Sequence, residues 1–308
     1  MGNISNSGLS QVVTCIVLTY NRCNYLLKCL EAIRCQSHSV ANIIVVDNGS
    51  TDSTRQEIEK IISEGQQILY INTQKNIGSS GGFSVGFKLA SGFQSDWVWV
   101  MDDDVTAHPN CLEELIRNCS DYHVIQPYRY YHGDDYVKSE CKKLNFKNPF
   151  SQQKIDFIDR PSKSGHAEIA CFPFEGPLIK YETFVRNAPP IEKYFIIGDD
   201  TEYSIRLSKN GAKFKMCPTA LMERQIKPSR YTKLNWKAYY TIRNNILNDA
   251  ANSSAMFTVT RAALSAFRLL IGGLYRRRKI AEFYLIIRST LDGLLGIYRP
   301  PEEIFKKF

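Results

Sequence analysis

Three consecutive carboxylates, Asp102, Asp103 and Asp104, follow the apolar segment Trp97–Met101. Such a segment predicts a strand buried on both faces, which delivers the acids to a loop at its carboxyl end. Adjacent carboxylates repel one another, and a hard divalent cation bound by their oxygens removes this repulsion. A cation there would also bridge a diphosphate and stabilise its charge as it leaves. The alternative is a solvated acidic turn, which the buried strand disfavours.

A second group of acids, Asp199 and Asp200, follows the apolar segment Tyr194–Ile197, which we predict to be another strand. An aspartate with an ordinary pKa is ionised at neutral pH, so it could take the proton of an acceptor hydroxyl placed beside it. The same residues are also suited to cap the helix predicted over Thr201–Lys209. The two roles are compatible.

Two further polar segments follow predicted strands or open helices. In Asp47–Asp52 the first carboxylate could accept from a base N–H, although the segment also suits a turn with a helix cap. In Asn76–Phe83 small residues lead into a helix whose N–H groups could face phosphate or sugar hydroxyls. Its spacing matches neither the dinucleotide fingerprint nor a phosphate loop, and it is also compatible with helix–sheet packing.

The elements that position these groups alternate along the chain. Apolar runs predict strands, and residues at helical spacing predict the helices between them. The predicted strands are Val12–Leu18, Ile43–Val46, Ile68–Asn72 and Trp97–Met101. This alternation predicts an α/β fold with a doubly wound mixed sheet, with ligands bound at the carboxyl ends of its strands. Residues 128–164 are predicted to be an irregular or hairpin insertion, and residues 236–295 are predicted to be helical.

The composition favours anionic partners. Lys and Arg number 39 against 31 for Asp and Glu, which gives a net charge of +8. The basic run Arg276–Lys279 between amphipathic helices suits anionic lipid headgroups, and the alternative is a solvated helical connection. No nucleic-acid partner is expected.

The expected location is cytoplasmic, peripheral on the inner face of the cell membrane. Residues 1–10 lack the features of a secretory signal. We expect no spanning helix, because no run approaches about 18 uncharged apolar residues. The nine cysteines show no Cys-x-x-Cys spacing and are interpreted as reduced thiols.

In combination, these segments resemble family 2 glycosyltransferases of the GT-A fold. The resemblance rests on Thr-Tyr-Asn-Arg from Thr19, Val-Val-Asp-Asn-Gly-Ser-Thr-Asp ending at Asp52, the acids 102–104, and Gly-Asp-Asp-Thr-Glu from Gly198. Further motifs resemble the galactofuranosyltransferase and rhamnosyltransferase-like branch: Asn-Ile-Gly-Ser-Ser-Gly-Gly-Phe, Met-Asp-Asp-Asp-Val, and Tyr-Tyr-x-x-Arg-Asn over 239–244. The resemblance covers residues 12–248. It implies a GT-A nucleotide-sugar-binding and catalytic domain over 10–235 and a C-terminal helical extension over 236–308.

The resemblance also implies roles for individual residues. Thr19, Asn21, Arg22 and Asp47 would hold the nucleotide, Asn76, Gly81 and Gly82 would line the donor pocket, and Asp103 would lie near the donor sugar. Asp102 and Asp104 would bind Mn²⁺ or Mg²⁺. Asp200 would be the catalytic base, with Asp199 and Glu202 positioning the acceptor.

One departure from the branch concerns the metal. Galactofuranosyltransferases of this branch carry a histidine as a further metal ligand after the base helix. Here the corresponding segment, residues 220–225, holds no histidine. Either Glu223 replaces it as an oxygen ligand, or the cation has fewer protein ligands.

The function implied is inverting, metal-dependent transfer of a sugar to a hydroxyl of a glycan or lipid-linked glycan. The first choice of donor is UDP-galactofuranose and the second is dTDP-rhamnose. One rival is a nucleotidyltransferase, which would carry a glycine-rich loop with a basic residue after the first strand, whereas Thr19–Arg22 lacks glycine. Another is a non-catalytic sugar-nucleotide-binding subunit, which would not need the second group of acids.

Overall fold

The computed structural model describes residues 11–131, 144–151, 167–227 and 234–306. Its first half is the alternating unit that the sequence predicts. The strands are β1 (Val13–Thr19), β2 (Asn42–Asp47), β3 (Ile68–Asn72) and β4 (Trp97–Asp102), and the helices are α1 (Cys23–Arg34), α2 (Thr54–Ser63) and α3 (Gly78–Ala90). The four strands are parallel in the order β3-β2-β1-β4.

Both faces of β1 are buried, which explains its continuous apolar run. Cys15 and Val17 pack with α1 in one core cluster, while Ile16 and Leu18 pack with α3 in another. Alternate side chains of a strand point to opposite faces, so helices cover both sides of the sheet. The predicted doubly wound arrangement is confirmed.

The second half of the sheet is mixed in direction. Its elements are β5 (Val105–Ala107), α4 (Cys111–Arg117), β6 (Val124–Tyr131), β7 (Ala167–Glu168), β8 (Leu178–Lys180), α5 (Tyr181–Val185), α6 (Asp199–Lys209) and β9 (Phe214–Arg224). The sheet continues from β4 in the order β8-β6-β9-β5, and β7 pairs with β9. β8 is antiparallel to β4 and β6, whereas β9 is parallel to β6.

Two predictions about local structure were wrong. Residues 128–131 belong to β6, because their partners in β9 complete a regular ladder after one irregularity; most of the insertion predicted beyond them, except 144–151, lies outside the described residues. Tyr194–Ile197 is not a strand: a 3₁₀ turn over Glu192–Tyr194 leads into irregular backbone. Its apolar side chains are partly explained by Phe195, which packs in a cluster with Tyr239 and Tyr240.

The C-terminal region is helical as predicted, with α7 (Trp236–Asn252), α8 (Ala255–Tyr275), α9 (Ile280–Leu294) and α10 (Pro301–Phe305). The amide of Leu234 donates to Glu282 at 2.8 Å, and Gly293 packs on Arg243 and Ile246, so α7 and α9 run in the same direction. α8 runs the opposite way, with Arg261 paired to Asp249 of α7 at 3.0 Å.

One helix bears on the expectation that no segment spans the membrane. Among the described residues, α8 is long and apolar enough to cross a membrane, judged by length and composition alone. The sequence analysis missed it because Arg261 and Arg268 interrupt the apolar run.

Candidate active site

The two groups of aspartates converge on one cavity of about 490 Å³. Asp102, Asp103 and Asp104 reach it from the end of β4, and Asp199 and Asp200 reach it from the start of α6. These groups are about 100 residues apart in the chain. The cavity therefore has an acidic side beside the parallel strands and a second acidic side beside the C-terminal helices.

Asp103 is held by the last residue of β1 and by a residue of the loop that follows. The hydroxyl of Thr19 donates to its carboxylate at 2.7 Å, and Arg22 donates to it at 3.0 Å. Arg22 also lies 3.3 Å from Asp104. Burial raises the pKa of Asp103 to about 6, although Arg22 and Thr19 oppose this rise. One arginine thus partly neutralises two of the three acids.

Burial and the neighbouring acids disfavour the ionised form of Asp102. Its pKa is raised well above the ordinary value by burial and then by the charges of Asp104 and Asp103. No hydrogen bond to its carboxylate is found from the described residues. Carboxylate oxygens are the donors that Mg²⁺ and related hard cations prefer, so Asp102 and Asp104 fit such an ion. No cluster of three or more metal-ligating side chains is found in the described ranges.

Glu223 does not join these acids in the cavity lining. It pairs with Thr106 of β5 and Tyr130 of β6, and the next residue, Arg224, lines the cavity instead. Neighbouring strand residues point to opposite faces, which separates the two side chains. The geometry therefore favours the alternative in which the cation has fewer protein ligands.

Arg224 is held by an acidic partner. Its Nε lies 3.0 Å from Glu175, which is also paired with the buried Arg129. Both Glu175 and Arg224 line the cavity. Arg224 lies beside the predicted metal ligands, because it pairs with Val105 and the next amide, that of Gln225, donates to the carbonyl of Asp104 at 2.9 Å. This cationic group was missed in the sequence, because its partners come from three distant segments.

Two residues predicted to hold the nucleotide have their polar groups engaged within the protein. The buried carboxylate of Asp47 accepts from Tyr70 at 2.5 Å, from Asn72 at 2.8 Å and from the amide of Ser50 at 2.8 Å. The Asn21 side chain accepts from the amide of Thr51 at 2.7 Å. Neither lines the cavity, and both fix the loops that follow β1 and β2.

The segment before α3 divides into cavity-lining and packing residues. Asn76 and Gly78 line the cavity, whereas Gly81 and Gly82 lie within the helix. A Cβ on Gly82 would lie 2.3 Å from the side chain of Leu18, so this glycine allows the helix to approach β1. Asn48, missed in the sequence analysis, donates to Asn76 at 3.2 Å and also lines the cavity.

Gly78, at the start of α3, packs against the backbone that precedes the acceptor-side acids. Its φ is +80°, and a Cβ there would lie 2.1 Å from the carbonyl oxygen of Phe195. We expect Gly78→Ala to lower the free energy of unfolding by about 2–4 kcal/mol, since left-handed strain and a clash with backbone add. Gly211→Ala is the matched control, because its φ is +86° and nothing lies within 4 Å. Equal losses in urea denaturation of the two variants would contradict the proposed close approach.

On the acceptor side, Asp199 is buried and Asp200 is partly exposed. Asp200 accepts from the amide of Thr201 at 2.6 Å. Glu202 lies one turn further and pairs with Arg206 at 2.9 Å, and it does not line the cavity as the two aspartates do. Of the predicted acceptor-side acids, the structure brings Asp199 and Asp200 together at the cavity.

The pKa of Asp199 is raised to about 7 by burial and by the neighbouring charge of Asp200. When the pKa of a carboxyl is higher in the folded than in the unfolded state, the protein loses stability as the pH rises. The loss begins near the unfolded-state pKa, about 3.9, and is complete above the folded-state pKa. We therefore compare the free energy of unfolding of Asp199→Asn with that of the unsubstituted protein. The difference should change in favour of Asp199→Asn by about 2 kcal/mol as the pH rises from 5 to 8. Urea denaturation at both pH values measures this gain, and the exposed Asp121→Asn should show none. A pH-independent difference would refute the expectation.

The backbone leading to these acids is held by α7. Phe195 and Ile197 have φ values of 66° and 63°, which residues other than glycine rarely adopt. The buried Asn244 amide donates to the carbonyls of Tyr194, Ile196 and Ile197 at 2.6–3.0 Å, and Arg243 donates to Tyr194 at 2.9 Å. The Arg-Asn pair of the 239–244 motif thus stabilises the strained segment.

Comparison with known proteins agrees with this architecture. A model of glycosyl transferase family 2 matches residues 14–173, just over half of the 308-residue chain. Galactofuranosyltransferase GlfT1 of Mycolicibacterium smegmatis is 27% identical, over 68% of this chain and 70% of its own. GlfT1 of Mycobacterium tuberculosis is 26% identical, over 68% of each chain.

Solved glycosyltransferases share the fold. Residues 1–349 of Staphylococcus aureus TarS superpose with a TM-score of 0.59 at 15% identity, covering 95% of this chain and 82% of that one. The mannosyltransferase PcManGT of Pyrobaculum calidifontis, in complex with GDP-Man and Mn²⁺, gives 0.58 at 15% identity, covering 94% and 88%. GalNAc-T7 with UDP, GalNAc and Mn²⁺ gives 0.63 at 11% identity, covering 77% and 47%. The fold is GT-A, and the chain belongs to glycosyl transferase family 2.

Proposed function

We propose that this glycosyltransferase catalyses metal-dependent transfer with inversion, from a nucleotide diphosphate-sugar to an acceptor hydroxyl. The convergence of Asp102–Asp104 with Asp199 and Asp200 on one cavity is the observation that supports this proposal. A single displacement needs a diphosphate site on one side of the sugar and a base on the other. The cavity offers both groups without requiring a covalent intermediate.

In the proposed reaction, different residues act on the acceptor, on the donor and on the cation. Asp200 takes the proton from the attacking hydroxyl, and Asp199 positions the acceptor. Thr19 and Arg22 orient Asp103 beside the donor, while Asp102 and Asp104 hold the cation. When bound, Mn²⁺ or Mg²⁺ supplies positive charge to the departing diphosphate.

Arg224 adds a fixed positive charge beside the predicted metal ligands. Its partner Glu175 orients it without removing it from the cavity lining. A preorganised cation next to developing negative charge stabilises that charge without reorganisation. We propose that Arg224 faces the diphosphate in the region where the branch's third metal ligand was expected.

UDP-galactofuranose is the first choice of donor and dTDP-rhamnose the second. The distant similarity to GlfT1 favours the first. The proposed acceptor is a glycan or lipid-linked glycan at the cytoplasmic face of the membrane. Residues 10–235 would form the catalytic unit, and residues 236–308 a helical extension that completes the acceptor side through Trp236 and Lys237.

A panel of nucleotide-sugars tests the donor. The protein is incubated with each donor and Mn²⁺, with and without chelator, and free nucleotide is measured. UDP-galactofuranose is expected to release UDP in a chelator-sensitive reaction. Release only from dTDP-rhamnose would select the second donor, and release of pyrophosphate from a nucleoside triphosphate and a sugar phosphate would indicate nucleotidyl transfer instead.

A further inference from the structure

Two of the C-terminal helices leave apolar side chains uncovered along one stripe each. On α8, Phe267 is 62% exposed and Leu274 is 65% exposed; at the start of α9 Ile280 is 87% exposed, and directly after α9 Leu295 is 70% exposed. Isolated exposed apolar residues are ordinary, but rows at helical spacing indicate an interaction surface. The apolar stripes consist of Met256, Val259, Phe267, Ile271 and Leu274 on α8, and of Ile280, Tyr284, Ile287 and Leu291 on α9 with Leu295 directly after it.

The charge on α8 and on the turn that follows it has one sign. Residues 250–281 include six basic residues and no Asp or Glu. Four of the six form the basic turn, Arg276–Lys279, which joins α8 to α9. Arg276, Arg277 and Lys279 are exposed there, whereas Arg278 lies 3.7 Å from Glu282. This surface is complementary to an apolar layer bordered by negative charge.

The basic turn lies at the cavity end of the helices. Glu282, three residues after Lys279, accepts from the amide of Leu234, just before α7. The first two residues of α7, Trp236 and Lys237, line the cavity. A partner bound at the basic turn is therefore held beside the acceptor side of the site.

From these observations we infer that α8 and α9 dock on a bilayer containing anionic lipids, with the apolar stripes in the interface and the basic turn among the headgroups. A second copy packed through α8 and the basic turn would offer no Asp or Glu from residues 250–281 to the basic turn, so the bilayer is the better complement. α8 does not leave the protein to span the membrane, because Arg261 ties it to Asp249 and to the carbonyl of Asn145. Docking is independent of the sugar chemistry, whereas presentation of a lipid-linked acceptor rests on the proposed function.

Vesicle sedimentation of the full chain tests the charged part of the surface. We expect binding to vesicles of phosphatidylcholine with phosphatidylglycerol and little binding to phosphatidylcholine alone. Removing two charges by Arg276→Gln with Arg277→Gln should weaken binding at least about tenfold. The matched control, Lys28→Gln with Lys60→Gln, removes two exposed charges on α1 and α2 and should bind normally. Equal binding to both kinds of vesicle, or an unchanged affinity of the first variant, would overturn the inference.

A second pair of variants tests the apolar stripes. Phe267→Ser with Leu274→Ser should lower vesicle binding, while Val185→Ser with Ile191→Ser, which are also exposed, should not. Alkaline carbonate should release the bound protein, and retention would instead indicate a spanning helix. A different result would assign the stripes to a second copy of the chain. In that case the unsubstituted protein would form dimers and not bind vesicles, and the Phe267 and Leu274 changes would dissociate the dimers. The donor panel, run without vesicles, reports separately on the proposed function.

Discussion

Replacing Asp200 by asparagine is expected to lower the turnover of sugar transfer by about 10²–10⁴-fold, the usual contribution of a positioned general base. The amide keeps the shape of the side chain but cannot take the proton. Asp200 comes from the start of α6, whereas Arg22 and the acids after β4 pair with one another, so nucleotide binding should be retained. Calorimetric titration with the nucleoside diphosphate measures that binding, and acceptor-dependent product formation measures turnover.

Glu202→Gln is the matched control for this variant. It removes one negative charge from the same helix, two residues further on, where the side chain pairs with Arg206. Its turnover should stay within about threefold of the unsubstituted enzyme, because it does not line the cavity. A fully active Asp200→Asn enzyme would show that Asp200 is not the base. A large loss of turnover in Glu202→Gln would support the acceptor contact predicted for Glu202.

Metal removal is expected to give the second large effect. Because a bound cation contributes several kcal/mol to charge stabilisation, chelation should lower transfer by about 10²–10³-fold, and added Mn²⁺ should restore it. Asp102→Asn should prevent this restoration at ordinary Mn²⁺ concentrations, since it removes one of the two proposed ligands. Titration of activity with Mn²⁺ measures the effect.

The surface variant Asp121→Asn controls for loss of an aspartate and should respond to Mn²⁺ normally. Arg22 makes the outcome informative, because it already neutralises part of the triplet. Full activity in chelator would show that Arg22 and Arg224 suffice without a cation. That result would contradict the proposed metal dependence.

The regular half of the fold was predictable from local sequence. β1, β2 and β4 are buried on both faces, and complete burial produces the uninterrupted apolar runs from which they were predicted. The rule that ligands bind at the carboxyl ends of parallel strands placed the acid triplet at the correct edge of the sheet. The roles of the individual residues remain predictions.

The missed features depend on contacts between distant segments. Tyr194–Ile197 has the composition of a strand, but α7 supplies its hydrogen-bond partners and the segment bends. Asp47 sits where a ligand contact was expected, yet Tyr70 and Asn72 of β3 occupy its carboxylate. In β9, which of two neighbouring residues faces the cavity depends on strand register, so Glu223 and Arg224 could not be distinguished.

The hydrogen bonds from Asn244 also bear on when the enzyme becomes active. The backbone just before the acceptor-side acids obtains its donors from a helix about 50 residues later in the chain. During synthesis the parallel strands β1–β4 and the acid triplet, which ends at Asp104, are made about 130 residues before that helix begins at Trp236. Under the proposed function, a nascent chain therefore carries the proposed nucleotide and metal ligands before α7 can hold the backbone that leads to the acceptor-side acids.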